Sequence, residues 1–145
     1  MKKFIVFLAA AISSISILQG CEDTRISEKR LPAQAQEFIS QYFPGISVTY
    51  AEKERDDRQK EYNVKLADGT EIQFNEDGSW TSVDCEFSVL PEGIVPDSIT
   101  DYVKANYPES KIYKAEKEFG GYEIGLTGGV ELIFNTAGEY VRVSR

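Results

Sequence analysis

Histidine is absent from this 145-residue chain, cysteine occurs only twice, and no apolar run reaches the roughly 20 residues that a membrane-crossing helix needs. Without histidine there is no Ser-His-Asp or Cys-His catalysis, no His-ligated zinc and no histidine pH switch. Basic residues are also scarce. Sixteen Lys and Arg against 24 Asp and Glu leave a formal net charge of -8, and a surface that binds nucleic-acid phosphates needs clustered Lys and Arg. What is present, 41% hydrophobic and 28% charged residues, is the composition of a folded globular chain rather than a disordered one. The length allows one ordinary domain or two small ones sharing a core.

The N-terminus reads as an address. Lys2 and Lys3 precede an apolar stretch over residues 4–18, interrupted by Ser13, Ser14 and Ser16, which is the layout of a secretory signal over 1–20. Leu18-Gln19-Gly20-Cys21 looks like a bacterial lipobox, in which Cys21 is acylated and becomes the new terminus. Gln19 departs from the small or apolar residue usual at its position, so ordinary signal-peptidase cleavage stays open. Removing residues 1–20 takes away two lysines and no acid, and the net charge becomes -10. Anionic head groups repel such a body, so a lipid on Cys21 is its one expected hold on a membrane. Residues 21–30 are expected to form a tether. Glu22-Asp23 resembles the acidic tract that sends some lipoproteins to the cell surface, and it equally suits a solvated linker. The expected location is therefore the periplasm or the outer membrane, with the cell surface as one variant.

Lipidation of Cys21 leaves Cys85 without a partner in the chain. Cys85 sits between Asp84 and Glu86, whose charges disfavour a thiolate, so it is expected to be a small buried hydrophobe rather than a nucleophile.

The informative feature is internal repetition. Residues 31–54 (LPAQAQEFISQYFPGISVTYAEKE) align without gaps to 95–118 (VPDSITDYVKANYPESKIYKAEKE), and Ala51-Glu52-Lys53-Glu54 recurs as Ala115-Glu116-Lys117-Glu118. After a four-residue difference, 61–84 meets 121–144, where Tyr62, Leu66, Gly69, Glu71, Phe74, Asn75, Gly78 and Val83 find identical residues 60 positions on. The expected organisation is repeat 1 over 31–84, a connector over 85–94 and repeat 2 over 95–145.

Each repeat predicts one helix and four strands. Pro32 and Pro96 suit a helix start, and Pro44 and Pro108 bar its continuation. Ala35, Phe38, Ile39 and Tyr42, like Ile99, Tyr102 and Val103, keep the spacing of one buried face. Ile46-Val48-Tyr50, Tyr62-Val64-Leu66 and Ile72-Phe74 alternate as half-buried antiparallel strands do. Asp68-Gly69 and Gly128-Gly129 are hairpin dipeptides. Asn75-Glu76-Asp77-Gly78 has the composition of a type I turn closed by a glycine bulge, which sets Phe74 opposite Trp80 and sends Trp80 and Tyr140 to the core. A longer loop would send both to the other face. A calcium loop is disfavoured, because Asn135-Thr136-Ala137-Gly138 lacks both acids. The expected fold class is α+β, a tandem unit of one helix plus a four-stranded antiparallel meander, with the helices packed on one sheet face.

The repeat of a Leu/Val-Pro helix start, an aromatic-Pro stop and a Gly–Glu–Phe–Gly strand pattern with Trp or Tyr resembles the PepSY-like, β-lactamase-inhibitor-like family of bacterial envelope proteins. The similarity spans about residues 31–145. It implies tandem helix and four-strand units like those of the secreted β-lactamase inhibitor protein, which works through a concave sheet face and an acidic plug loop. Disulfides staple the units of that inhibitor, and one remaining cysteine cannot do so here. The resemblance thus carries the fold and no functional residue.

The leading functional expectation is a non-catalytic module that binds an unknown protein or peptide through the open sheet face. In the bulge register that face carries Glu71, Gln73, Thr81 and Val83 in repeat 1 and Glu131, Ile133, Val141 and Val143 in repeat 2. Ile133, Val141 and Val143 form a candidate apolar patch, unless the other half-sheet or a second copy covers it. Asp56 and Asp57 fall in the four-residue excess of repeat 1, as a plug-like contact or a solvated tip. The alternative is an acidic surface that captures cationic peptides or cell-wall fragments. A carboxylate-dependent hydrolase ranks last, because its candidate acids have matched counterparts in the other repeat, whereas a catalytic pair usually breaks such symmetry. No G-x-S-x-G or S-x-x-K context supports a serine enzyme. No cofactor, metal or nucleic acid is expected.

Overall fold

The computed structural model describes residues 25–56 and 59–144. Two helices, α1 (Ala33–Tyr42) and α2 (Asp97–Asn106), alternate with two runs of four strands. The first run is β1 (Val48–Asp56), β2 (Gln59–Leu66), β3 (Glu71–Asn75) and β4 (Trp80–Asp84). The second is β5 (Ile112–Glu118), β6 (Gly121–Leu126), β7 (Glu131–Asn135) and β8 (Tyr140–Val143). All eight strands form one sheet in sequence order, each antiparallel to its neighbours. The fold is α+β, and β4 pairs with β5, so the two half-sheets lie edge to edge and neither covers the other.

Both helices start directly after a proline in extended conformation, Pro32 and Pro96. Pro lacks the N–H that a first turn leaves unpaired in any case. Both end where an aromatic residue leaves helical geometry ahead of a proline, Phe43 before Pro44 and Tyr107 before Pro108. Ala35 with Ile39, and Ile99 with Val103, are buried four residues apart.

Register explains the core. Ala51, Val64, Ile72, Val83, Ala115, Ile124, Leu132 and Val143 are successive cross-strand partners, forming one apolar row over all eight strands. Every member but Val143 is buried. Phe74 and Phe134 stand two residues along on the same face. Phe38 of α1 meets Phe74 edge-on at 5.6 Å, and Tyr102 of α2 meets Phe134 edge-on at 5.5 Å. Both helices therefore pack on this face, and truncation of either buried Phe to Ala would cost about 3–5 kcal/mol.

The Asn75 and Asn135 turns form as their composition predicts. Gly78 N–H bonds to Asn75 O at 3.0 Å and Gly138 N–H to Asn135 O at 2.9 Å, both glycines at positive φ. Phe74 faces Trp80 and Phe134 faces Tyr140. Trp80 is buried; Tyr140 lies on the same face but stays half exposed on the edge strand, stacked on Tyr102 at 4.6 Å. The Asn75 and Asp77 carboxamide and carboxylate oxygens accept backbone N–H groups of the turn itself. Gly78 has a second role: a Cβ there would stand 2.9 Å from the Ala35 backbone nitrogen, so the turn seats against the first turn of α1.

One expectation fails. Val83 and Val143 belong to the buried face, not the open one. A bulge after the turn places three steps of β4, Trp80 to Val83, against two of β3, and the same bulge recurs in β8. Two successive residues then share one partner on the far side and the alternation reverses. That returns both valines to the apolar row, where Val83 is buried and Val143 stays exposed on the edge strand. The described part of the longer β1–β2 connection in repeat 1 is strand rather than loop. It lengthens the β1–β2 hairpin by the pairs Arg55–Lys60 and Asp56–Gln59.

The connector contributes to the core through Cys85, Leu90 and Ile94. Burial pushes the Cys85 thiol up to about 11, with Asp68 and Asp84 acting the same way. The described part of the expected tether is not slack. Arg25 bridges Glu52, and Ile26 N–H bonds to Ala51 O at 2.8 Å, along the outer edge of β1.

Candidate functional site

With both helices on one face, no helix or strand among the described residues covers the other face of the sheet. Its central row, again in register, is Glu52, Asn63, Gln73, Ser82, Glu116, Glu123, Ile133 and Arg142. The two halves treat their acids differently. In the first, Asn63 Nδ2 donates to Glu52 at 3.2 Å and Glu54 at 3.0 Å. Tyr50 Oη donates to Glu52 at 2.6 Å, and Lys65 pairs with Glu71 at 2.9 Å. The surface there is polar and its acids are paired, although the buried Asn63 Oδ1 has no hydrogen-bond partner.

In the second half the matching positions change character. Glu123 replaces Asn63, Gly125 replaces Lys65, Ile133 replaces Gln73, Val141 replaces Thr81 and Arg142 replaces Ser82. Glu116 and Glu123 stand directly opposite each other, an arrangement that costs free energy. Partial burial raises the Glu123 carboxyl above its ordinary range, and Glu131, Glu118 and Glu116 add to the effect against Lys114. Burial works against the Lys114 ammonium, but Glu116 at 3.0 Å, with Asp84 and Glu131, outweighs it and raises its pKa. Gly125 makes room for Tyr113, whose ring would lie 3.3 Å from any Cβ placed there.

A groove of about 420 Å³ opens beside this cluster, lined by Glu118, Phe119, Glu123, Ile133, Val141 and Arg142. Phe119 and Gly120 make the two-residue β5–β6 turn, both at positive φ, which is the geometry hairpin twist favours and which Asn-Gly normally fills. Phe119 adopts φ +43 and is fully exposed. A bulky residue in the left-handed region costs about 1–2 kcal/mol, and no burial of this ring offsets it. A depression of about 360 Å³ in the first half lies further along the strands, away from the β1–β2 turn, and is lined by polar Tyr50, Glu52, Asn63, Lys65, Glu71 and Gln73 together with the strand residues Val64 and Ile72.

The structure places Ile133 and Val141 together on the open face and removes Val143 from it. Glu71 and Gln73 are on the same face but on β3, four strand spacings or about 19 Å from β7. Asp56 ends β1 at its last pair with Gln59, while Asp57 and Cys21 lie outside the described residues. Phe119 and Arg142 escape sequence reasoning. Phe-Gly is a weak turn signal, and the bulge that turns Arg142 outward leaves no mark in the hydrophobic alternation.

Among the described residues no group of three or more Cys, Asp or Glu could hold a metal ion, and no helix is long and apolar enough to cross a membrane. The architecture is that of a helix-backed antiparallel sheet with one face open. The chain belongs to the family described as "Putative beta-lactamase-inhibitor-like, PepSY-like", whose model matches residues 17–66 and 60–142. Several solved structures share the fold. A DUF2874-family protein of Bacteroides vulgatus is 35% identical, with a TM-score of 0.80 over 87% of this chain and 99% of its own. A protein of Bacteroides thetaiotaomicron, described as a "putative calcium-regulated periplasmic protein", is 33% identical, with a TM-score of 0.81 over 84% and 96%. A second B. vulgatus protein, of unknown function, is 37% identical, with a TM-score of 0.78 over 82% and 95%. All three are described as periplasmic. No curated protein matches the chain.

Proposed function

We propose that this chain is an exported, non-catalytic binding module, built by tandem duplication, that engages a protein partner through the second half of its open face. The observation that carries this is the groove beside Phe119. There Ile133 and Val141 replace polar Gln73 and Thr81, and a fully exposed aromatic residue is held in a costly backbone conformation. An inhibitor-like role fits the family description, and direct titration against β-lactamases tests that version. The calcium regulation in the description of the B. thetaiotaomicron protein is not carried over, because the Asn75 and Asp77 oxygens already bond to their own turn. Lipidation at Cys21 would hold the module at a membrane, and Cys21→Ser should then abolish its partitioning there.

The test is capture from envelope extract by the native chain beside an Ile133→Asp, Val141→Asp variant. Specific loss of one partner in the variant supports the face; unchanged partners, or none, sink it. The acids Glu118, Glu123 and Glu131 favour a second reading, capture of a cationic peptide or cell-wall fragment. Binding that weakens steeply with salt and survives the two Asp substitutions would select it.

A further inference from the structure

The sheet ends differently at its two edges. Among the described residues, Arg25 opposite Glu52 and Ile26 bonded to Ala51 O at 2.8 Å cap the outer edge of β1 in cis. No strand among the described residues pairs with the outer edge of β8, where the Arg142 side chain donates to Val143 O at 3.3 Å. Ser144 N–H bonds inward to Glu131 O, so Val143, next to it, turns its N–H and C=O outward. We infer that β8 of one copy docks on β1 of a second copy, Arg142 and Val143 taking the places that Arg25 and Ile26 hold in the isolated chain.

Two internal templates support this register. The first is the cap itself: β1 accepts a basic residue opposite Glu52 and a β-branched aliphatic opposite Ala51, and β8 presents the same pair, Arg142-Val143. The second is the β4–β5 junction, where Val83 faces Ala115, Ser82 faces Glu116, and Lys117 Nζ sits 4.1 Å above the Trp80 ring. Ala51-Glu52-Lys53 repeats Ala115-Glu116-Lys117, and Val143 and Tyr140 stand where Val83 and Trp80 stand. Docking therefore sets Val143 against Ala51, Arg142 against Glu52 and Tyr140 over Lys53. The second copy's Lys53 already has Tyr62 beneath it at 5.6 Å, so Tyr140 completes a sandwich like the one in which Lys117 lies near Trp80 and Tyr122. Charge agrees as well, since the β1 edge carries Glu52 and Glu54 and the β8 edge carries Arg142. The contact is head-to-tail, so it extends into rows, and the cap formed by Arg25 and Ile26 opposes it.

Sedimentation velocity over a concentration series tests the assignment on the exported chain in mild detergent. Ile26→Pro deletes the cap hydrogen bond and should tighten self-association about tenfold, the equivalent of about 1.4 kcal/mol. Adding Arg142→Glu, or Val143→Pro at its outward-facing N–H, should return the protein to monomer. Should Ile26→Pro not fold, oxidative cross-linking decides. Copies with Arg142→Cys mixed with copies with Glu52→Cys should form a mixed disulfide, because directly paired strand residues lie within its reach. The control mixture of Arg142→Cys with Glu71→Cys should not. Equal cross-linking in both mixtures, a folded Ile26→Pro that stays monomeric, or association that survives Arg142→Glu would each overturn the docking.

Discussion

Phe119→Asn separates the cost of the groove from its use. Phe119 occupies the first position of a two-residue hairpin at φ +43, and its ring is fully exposed. Asn enters the left-handed region readily, and Asn-Gly is the strongest sequence for this turn. Removing an exposed ring forfeits no burial, so the substitution should stabilise the native state by about 1 kcal/mol. In a body of this size that raises Tm by about 4 °C. Phe119→Gly relieves the same strain but adds freedom to the unfolded chain worth about 0.5–1 kcal/mol, so it should be close to neutral. Denaturant titration and calorimetry of the three proteins check the order Asn above Gly and Phe. If Asn is neutral or destabilising, the ring has contacts in solution and the strain account fails. The functional half needs a second readout. An exposed aromatic that anchors a partner should lose about 2 kcal/mol of binding on replacement. A more stable Phe119→Asn that holds its partner as tightly as the native chain would refute the groove as the site.

Gly78→Ala should destabilise by about 1–3 kcal/mol, from its positive φ together with the clash against the Ala35 backbone. Gly138→Ala should cost less, because the Cβ there meets the Ser98 hydroxyl, which can rotate away; parallel urea titrations give the ranking. Cys85 should resist thiol reagents at neutral pH in the folded state and react on unfolding, since burial holds it near 11. A thiol raised on folding makes the native state less favourable as pH climbs from its ordinary range towards that value, so stability should decline above pH 9 and Cys85→Ala should flatten the decline.

Much of the fold was legible because the repeat wrote each signal twice. Prolines at 32 and 96 and at 44 and 108 bound the helices, and Asn and Gly at equal offsets fix the tight turn. The bulge after that turn was not legible, and it decides which face Val83 and Val143 occupy. A bulge is a backbone response to burial: no residue type announces it, and only the pairing of Val83 with both Ile72 and Ala115 shows what it achieves. The site was legible in part. Ile133 and Val141 break an otherwise polar alternation, whereas Phe119 is visible only through its dihedral angle and its exposure.

The divergence between the halves yields a prediction in which stability and binding part company. Core positions are kept in kind, as in Val64 and Ile124, Ile72 and Leu132, and Phe74 and Phe134, while the open-face positions Asn63, Lys65, Gln73, Thr81 and Ser82 are not. Glu123→Asn, Ile133→Gln and Val141→Thr together would write the first half's face onto the second. Each new residue already occupies the matching strand position four strands away, so the fold should tolerate all three, with a net change within about 1 kcal/mol. Glu123 shapes the pH dependence. Its carboxyl is raised on folding by burial and by Glu131, Glu118 and Glu116, so the native state binds its proton more tightly than the unfolded chain. Native stability must then fall as pH rises from the ordinary carboxylate range through the raised value. Removing that carboxylate should stabilise the triple variant relative to the native chain at neutral pH, and the advantage should vanish in acid. Partner capture should be lost at every pH. A loss of several kcal/mol at neutral pH would instead show that Glu123, Ile133 and Val141 hold the second half together, and the groove would then be a packing feature rather than a site.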